Sequence, residues 1–181
     1  MTAGDYSKDD AGSELCLACG LCCDGTLFSR VPVNNTDNIP IFQETAVKAI
    51  SSRGQSSFNQ PCPAYVNRGC QIYTDRPKNC RKFRCKLLDE YCERKLTQGE
   101  AMAIINKAFS YRKIFMETLL GIDPELLGSS LAELWRQWNG PAKGEDGLAF
   151  RQKHGPALMQ LAALNWFLQQ HFRKKLQTDV P

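Results

Sequence analysis

The second half of the chain carries apolar residues at the spacing of an α-helix. Thr97 and Glu100 form a T-x-x-E capping box, whose side chains accept hydrogen bonds from two backbone N–H groups of the first turn. After this box, apolar residues recur every three or four positions along one helical face. They are Ala101, Ile104, Ile105, Ala108, Tyr111, Phe115 and Leu119. The pattern predicts a long amphipathic helix that ends near Gly121, a residue suited to a C-terminal cap.

Three further helices are predicted after this one. Asp123 and Pro124 begin a short helix, because proline is favoured at the first helical position. Ser130 and Glu133 form a second capping box. The helix that follows carries Leu131, Leu134, Trp135 and Trp138 on one stripe. A last helix is predicted to begin at Pro156. Its apolar face is formed by Leu158, Leu161, Leu164, Leu168 and Phe172.

The first half of the chain lacks this pattern. It is rich in Gly, Pro and Asn, which favour turns, and only residues 41–50 indicate a helix. All nine cysteines lie between Cys16 and Cys92, which places a boundary near residue 96 and divides the chain into regions 1–96 and 97–181. We expect a mostly α fold, with an irregular, metal-stapled, cysteine-rich N-terminal region packed on the C-terminal helices. Metal binding would supply the stability that so few apolar residues cannot.

The composition is that of an ordinary globular protein. Of the 181 residues, 43% are apolar and 23% are charged, and the formal net charge of +4 permits an anionic partner without requiring one. The first residues lack the apolar segment of a signal peptide, and no stretch reaches the roughly 18 apolar residues of a membrane span. We therefore expect a cytoplasmic protein without a membrane span.

Familiar catalytic motifs are absent from the sequence. It contains no dinucleotide fingerprint, phosphate loop, nucleophile elbow or H-E-x-x-H zinc motif, so no catalytic residue is assigned and enzymatic activity stays open. The two histidines, His154 and His171, lie far from the cysteines in sequence. We expect them at surface or capping positions rather than as metal ligands.

Four of the nine cysteines lie close together, between positions 16 and 23. Cys16, Cys19 and Cys22 form C-x2-C-x2-C, a spacing found in zinc ribbons and in the iron–sulfur segments of ferredoxins. In a reducing compartment, clustered thiols usually bind metal or perform redox chemistry, and nine cysteines cannot all pair in disulfides. Metal or cluster binding is the main interpretation, and thiol–disulfide exchange, disulfides and inert thiols are the alternatives.

Cys23 adjoins Cys22, and adjacent side chains point apart, so the two cannot easily bind the same single ion. The remaining cysteines are Cys62, Cys70, Cys80, Cys85 and Cys92. We expect Cys92 to be a small buried residue, which leaves eight thiols, enough for two four-thiol sites. The predicted sites are Cys16, Cys19, Cys22 and Cys62 at one, and Cys23, Cys70, Cys80 and Cys85 at the other. The alternative to two metal sites is a single cluster with the remaining thiols around it.

Three segments together resemble the YkgJ-type cysteine-cluster family. They are CLACGLCC, CPAY and GCQIYTDRPKNCRKFRC, which lie within residues 16–85. This family is described as carrying a zinc- or iron-chelating domain with a CxxCxxCC motif. The resemblance implies that the metal ligands are Cys16, Cys19, Cys22, Cys23, Cys62, Cys70, Cys80 and Cys85. It leaves zinc against iron–sulfur open and does not extend to the C-terminal helices.

The favoured function is metal binding with an iron–sulfur cluster in a redox, sensing or protein-modification role. Three local thiols with a distant Cys-Pro thiol are similar to the ligand arrangement of ferredoxins. The alternative is a structural Zn²⁺ module that binds RNA or a protein partner. In the basic segment RPKNCRKFRCK, we expect Arg76 and Arg81 to offset thiolate charge rather than to contact nucleic acid. We expect a protein partner or substrate, which the sequence does not identify.

Overall fold

The computed structural model describes residues 8–34, 37, 49–52, 55–138 and 144–174. In order, these residues form α1 (Lys8–Cys19), β1 (Arg30–Val33), β2 (Ala49–Ser52), β3 (Gln55–Asn59), β4 (Tyr65–Val66), β5 (Gly69–Cys70), α2 (Lys78–Lys82), α3 (Lys86–Cys92), α4 (Gln98–Ile122), a 3-10 helix (Pro124–Gly128), α5 (Leu131–Trp138) and α6 (Gly144–His171). Helices dominate and both sheets are small, so the fold is mostly α, as predicted.

Helix α4 begins at the predicted capping box. Thr97 Oγ1 accepts a hydrogen bond from the Glu100 backbone N–H at 3.2 Å, and Glu100 Oε2 accepts one from the Thr97 backbone N–H at 2.7 Å. The buried face of the helix consists of Ala101, Ile105, Ala108, Phe115 and Leu119. The helix continues past Gly121, because Asp123 closes its last turn by donating its backbone N–H to Leu119 O at 2.8 Å. The local pattern therefore predicted this helix with an error of about one residue at its end.

Helix α6 begins earlier than predicted. It starts at Gly144, so Pro156 lies in its interior and the prediction of a start at Pro156 was wrong. An interior proline lacks a backbone donor and usually disfavours a helix. Here the turns before Pro156 are held by packing, since the His154 ring lies 4.3 Å from the Phe150 ring and 5.3 Å from the Trp138 ring. Tertiary contacts thus override the local signal.

His154 is a core residue of this region. It is 5% exposed, its Nδ1 lies 3.1 Å from Phe150 O, and its Nε2 lies 3.3 Å from Asp123 Oδ2. The surface or capping position expected for His154 was therefore wrong. His171 is the last residue of α6, where a positive charge is favourable.

Two hydrophobic clusters organise the described residues. The main core lies between α3, α4, α5 and α6. It also includes three residues of the cysteine-rich region, namely Leu15 of α1, Leu21 and Leu27. A smaller cluster contains Val33, Phe58, Ala64 and Ile72. The cysteine-rich region therefore packs on the C-terminal helices, while the boundary at residue 96 stays a prediction. None of the helices in the described part of the chain has the length and apolar character needed to cross a bilayer.

The two sheets lie in the first half of the chain. One sheet has the antiparallel order β1–β3–β2, in which Val31 and Ala49 both pair with Phe58. The other is the β4–β5 hairpin, whose turn residues Asn67 and Arg68 have φ values of 50° and 62°, as a type I′ turn requires. A helix is predicted over 41–50. Of these positions, 41–48 lie outside the described residues, and 49 and 50 belong to strand β2.

Candidate metal centre

The eight cysteines predicted as ligands all border one cavity. This cavity has a volume of about 490 Å³ and lies between α1, the turn after it, the β4–β5 hairpin, α2 and the start of α3. The thiols on its wall are Cys16, Cys19, Cys22, Cys23, Cys62, Cys70, Cys80 and Cys85. The ninth, Cys92, packs against the main core instead. All nine cysteines are free thiols.

The turn after α1 aims the first group of thiols at the cavity. Gly20 ends the helix with φ +63°, and its backbone N–H donates to Cys16 O at 3.0 Å. The Cys23 N–H then donates to Gly20 O at 2.8 Å, which closes the next turn. A side chain at position 20 would be strained in this backbone conformation and would collide with the Tyr65 ring. Glycine at this position is therefore required by both the turn and the close approach of β4.

Two thiols come from the segment that ends in the β4–β5 hairpin. The Cys62 N–H donates to Cys23 O at 2.8 Å, so this segment lies directly beside the turn after α1. In the hairpin, Tyr65 pairs with Cys70, which places the Cys70 thiol near the start of the same segment. The hydrogen bond and the strand register together bring Cys62 and Cys70 to Cys23.

The last two thiols lie at helices α2 and α3. Cys80 is in the middle of α2, and Asn79 Nδ2 attaches this helix to β1 by donating to Pro32 O at 2.7 Å. Cys85 is the N-terminal cap of α3, and its Sγ accepts a hydrogen bond from the Leu88 backbone N–H at 3.4 Å. Such N–H···S bonds stabilise the thiolate form that metals require.

The hydrophobic clusters divide the thiols into two groups. Cys19, Cys22 and Cys85 pack against the main core, whereas Cys62, Cys70 and Cys80 pack against the smaller cluster. Cys16 shares the last turn of α1 with Cys19, and the Cys23 carbonyl accepts the Cys62 N–H, so one further thiol joins each group and we name two sets. The first quartet is Cys16, Cys19, Cys22 and Cys85, and the second quartet is Cys23, Cys62, Cys70 and Cys80.

Electrostatic effects follow the same division with one exception, because the Cys23 thiol also raises the pKa of its sequence neighbour Cys22. Burial raises the pKa of Cys19 to about 12, and the neighbouring thiols Cys85 and Cys16 add to that rise. Burial likewise raises the pKa of Cys23 to about 12, and there the contributing thiols all belong to the second quartet. This division groups Cys62 with Cys23 and Cys85 with Cys19, whereas the predicted sites group Cys62 with Cys19 and Cys85 with Cys23. No spacing along the chain indicates the backbone hydrogen bond that holds Cys62 beside Cys23.

Arg76 supplies positive charge at the cavity wall. Its guanidinium lies 3.8 Å from the centre of the Tyr73 ring, and both residues border the cavity. Burial raises the pKa of Cys16 to about 11 and that of Cys80 to about 12, and the charge of Arg76 opposes both rises. Arg81 is exposed and is not part of the wall. The expected charge offset therefore has a structural basis for Arg76 and none for Arg81.

Two polar residues near the cavity carried no sequence signal. Gln60 is 7% exposed and borders the cavity, and its Oε1 has no hydrogen-bond partner among the described residues. Asp37 is buried and accepts hydrogen bonds from the Lys78 N–H at 2.7 Å and from the Asn34 N–H at 2.8 Å, which fixes the start of α2. Neither residue lies in a spacing that marks a ligand, so only the fold identifies them.

The donor set fits a metal that prefers sulfur. Thiolates are the preferred ligands of zinc and of iron–sulfur clusters, and much of the remaining wall is apolar, including Leu15, Leu27 and Phe28. In the part of the chain that the structure describes, no three His, Cys, Asp or Glu side chains form a ready-made site for an ion. Binding would therefore draw the thiols inward across the cavity, so that metal affinity is coupled to local folding.

Comparison with known families bears on the same residues. A model of the CxxCxxCC family, described as a "putative zinc- or iron-chelating domain", matches residues 15–103. The match includes all eight thiols that border the cavity and supports metal chelation by this region. It confirms the cysteine-cluster family that the motif indicated, without adding support for the YkgJ name. Searches of curated proteins and of solved structures each find no match.

Proposed function

We propose that this chain binds an iron–sulfur cofactor through the eight thiols of its cavity. The proposal starts from the premise that residues 15–103 are a CxxCxxCC domain. The observation that carries the proposal is the convergence of these thiols, from five separate segments of the fold, on one space. Metal chelation is the property of the family, and the choice of iron–sulfur is our proposal. The role would be redox, sensing or protein modification, with a protein as partner or substrate.

The size of the cavity supports a cluster over a single ion. A zinc ion holds its four sulfurs at about 2.3 Å, so a zinc site encloses almost no space. Here the cavity that the thiols border has a volume of about 490 Å³. A cluster of iron atoms and bridging sulfides occupies more volume than one ion and would need a smaller inward movement of the ligands.

The surroundings of the thiols also suit a redox group. Apolar walls, N–H···S bonds and nearby positive charge are the features by which proteins set the potential of an iron–sulfur cluster. Leu15 and Leu27 form part of the apolar wall, and the Leu88 N–H donates to Cys85 Sγ. Arg76 supplies the positive charge. A cytoplasmic location, which is part of the proposal, would keep the thiols reduced and available.

The alternative of a structural zinc module that binds RNA is less well supported. RNA-binding surfaces of this kind use free aromatic faces on which bases stack. Tyr73 lies just before the basic segment, and its ring is already covered by Arg76 at 3.8 Å; within the segment, Phe83 meets the Phe28 ring edge-on at 4.8 Å. The exposed charges of α2 would then form a solvated face rather than a recognition surface.

The test is the metal content and visible spectrum of untagged protein purified without oxygen. We expect iron, acid-labile sulfide and broad visible absorbance that dithionite bleaches. Cys22→Ser should lose much of the iron, while Cys92→Ser, which removes the thiol outside the cavity, should retain it. Colourless wild-type protein with tightly held zinc would overturn the iron–sulfur proposal in favour of the structural module. Protein without any bound metal would overturn both.

A further inference from the structure

We infer that the two quartets are two separate metal centres, joined through the peptide bond between Cys22 and Cys23. The inference rests on the proposed function only in requiring thiol-bound metal, and it holds for iron–sulfur or for zinc. It assigns Cys85 to the centre built on α1 and Cys62 to the centre built on the β4–β5 hairpin. A single eight-thiol site and the partition expected from sequence spacing are the competing arrangements.

The first quartet is assembled by the packing of α1 on α3. At Gly12 of α1 an added Cβ would lie 3.4 Å from Leu88 Cδ1 and 3.4 Å from Cys92 Sγ, so the two helices approach closely. Cys16 and Cys19 occupy the last turn of α1, and Cys85 caps the start of α3. The close packing therefore brings the end of one helix to the start of the other, with the turn that carries Cys22 beside them.

The second quartet is assembled by β-structure and by α2. The Cys23 carbonyl accepts the Cys62 N–H at 2.8 Å, and β5 holds Cys70 opposite Tyr65. Cys80 reaches the same group because α2 is fixed to β1 through Asn79. Cys62, Cys70 and Cys80 pack against the smaller hydrophobic cluster, whereas Cys19, Cys22 and Cys85 of the first quartet pack against the main core.

The exchange of Cys62 and Cys85 between the two centres would break several of these contacts. Cys62 would have to leave the hydrogen bond to Cys23 and the smaller cluster. Cys85 would have to leave the start of α3, where the next residue, Lys86, donates its N–H to Phe172 O at 3.0 Å. Adjacent side chains also point apart along the backbone, which directs Cys22 and Cys23 to different centres.

The experiment compares two double variants in the full chain, purified without oxygen and analysed for metal per protein. Cys19→Ser/Cys85→Ser removes two ligands of the first quartet, whereas Cys19→Ser/Cys62→Ser removes one ligand from each quartet. We expect the first double variant to retain about half of the wild-type metal and the second to retain almost none. The opposite ranking, or the same loss in both double variants, would overturn the inference.

A mirrored pair keeps the inference testable if the first quartet is needed for folding. Cys62→Ser/Cys80→Ser should retain about half of the metal, and Cys80→Ser/Cys85→Ser should retain almost none. Cys92→Ser is the matched control and should retain all of it. The identity of the metal in the wild type tests the proposed function, and the ranking of the double variants tests the inference. Zinc with the expected ranking would therefore overturn the iron–sulfur proposal and support the two centres.

Discussion

Gly20 is the position where one added methyl group should disturb the cavity most strongly. In Gly20→Ala, the left-handed backbone with φ +63° becomes unfavourable by about 1–2 kcal/mol. The new Cβ also collides with the side chain of Tyr65, and such overpacking typically costs about 1–3 kcal/mol. If the two effects add, the free energy of unfolding falls by about 2–5 kcal/mol.

The assay is urea unfolding followed by circular dichroism, with Gly121→Ala as the matched control. Gly121 lies inside α4 and an added Cβ would meet nothing within 4 Å, so this change should stabilise the protein by about 0.5–1 kcal/mol. In a Tyr65→Ala background the collision is absent, and Gly20→Ala should cost only the backbone part, about 1–2 kcal/mol. A Gly20→Ala variant as stable as wild type, or less harmful than Gly121→Ala, would refute this reasoning.

Three further predictions concern the C-terminal helices. Thr97→Ala removes the capping box of α4 and should lower the free energy of unfolding by about 0.5–2 kcal/mol, measured by urea unfolding. Phe115→Ala empties a fully buried position of the main core and should cost about 3–5 kcal/mol in the same assay. The hydrogen bond from His154, with the charge of Lys153, lowers the pKa of Asp123. This contribution to stability is present above the unfolded-state pKa of about 3.9 and is lost as pH falls through the lower folded-state pKa. Asp123→Asn should therefore reduce stability at neutral pH and flatten its decline in acid, as measured by unfolding across a pH series.

Matched variants separate these effects from general damage. Thr97→Ser keeps a hydroxyl cap and should stay close to wild type, so an equal loss in Thr97→Ser and Thr97→Ala would contradict the capping argument. Phe115→Leu should lose clearly less than Phe115→Ala. Glu125→Gln removes a carboxylate from an exposed position near Asp123 and should leave the acid dependence unchanged. A wild-type acid profile in Asp123→Asn would contradict the predicted role of the ion pair.

The helical half of the fold was largely predictable because its signals are local. The Thr97–Glu100 box and the stripe through Phe115 and Leu119 involve residues within one or two turns of each other, and the structure has them as predicted. The start of α6 was not predictable in this way. It depends on the packing of His154 against Trp138 and on its contact with Asp123, which come from other elements of the fold.

The cysteine-rich half was predictable in membership and not in arrangement. Spacing and the family motif selected the eight thiols that border the cavity and set Cys92 apart. The neighbours of each thiol depend on contacts between residues far apart in sequence. The bond from the Cys62 N–H to Cys23 O and the packing of Cys85 on the main core are two such contacts. No spacing rule encodes which of two hydrophobic clusters a thiol will join.

The most direct test of the central claim is a mass-spectrometric count of the cysteines that become reactive to alkylation when metal is removed. Protein purified without oxygen would be labelled before and after metal removal under otherwise identical conditions. We predict that the eight thiols of the two quartets are labelled faster after metal removal, because the region that binds the metal then opens locally, while the labelling of Cys92 stays the same. Equal labelling of these eight thiols before and after removal would contradict the claim that they hold the metal.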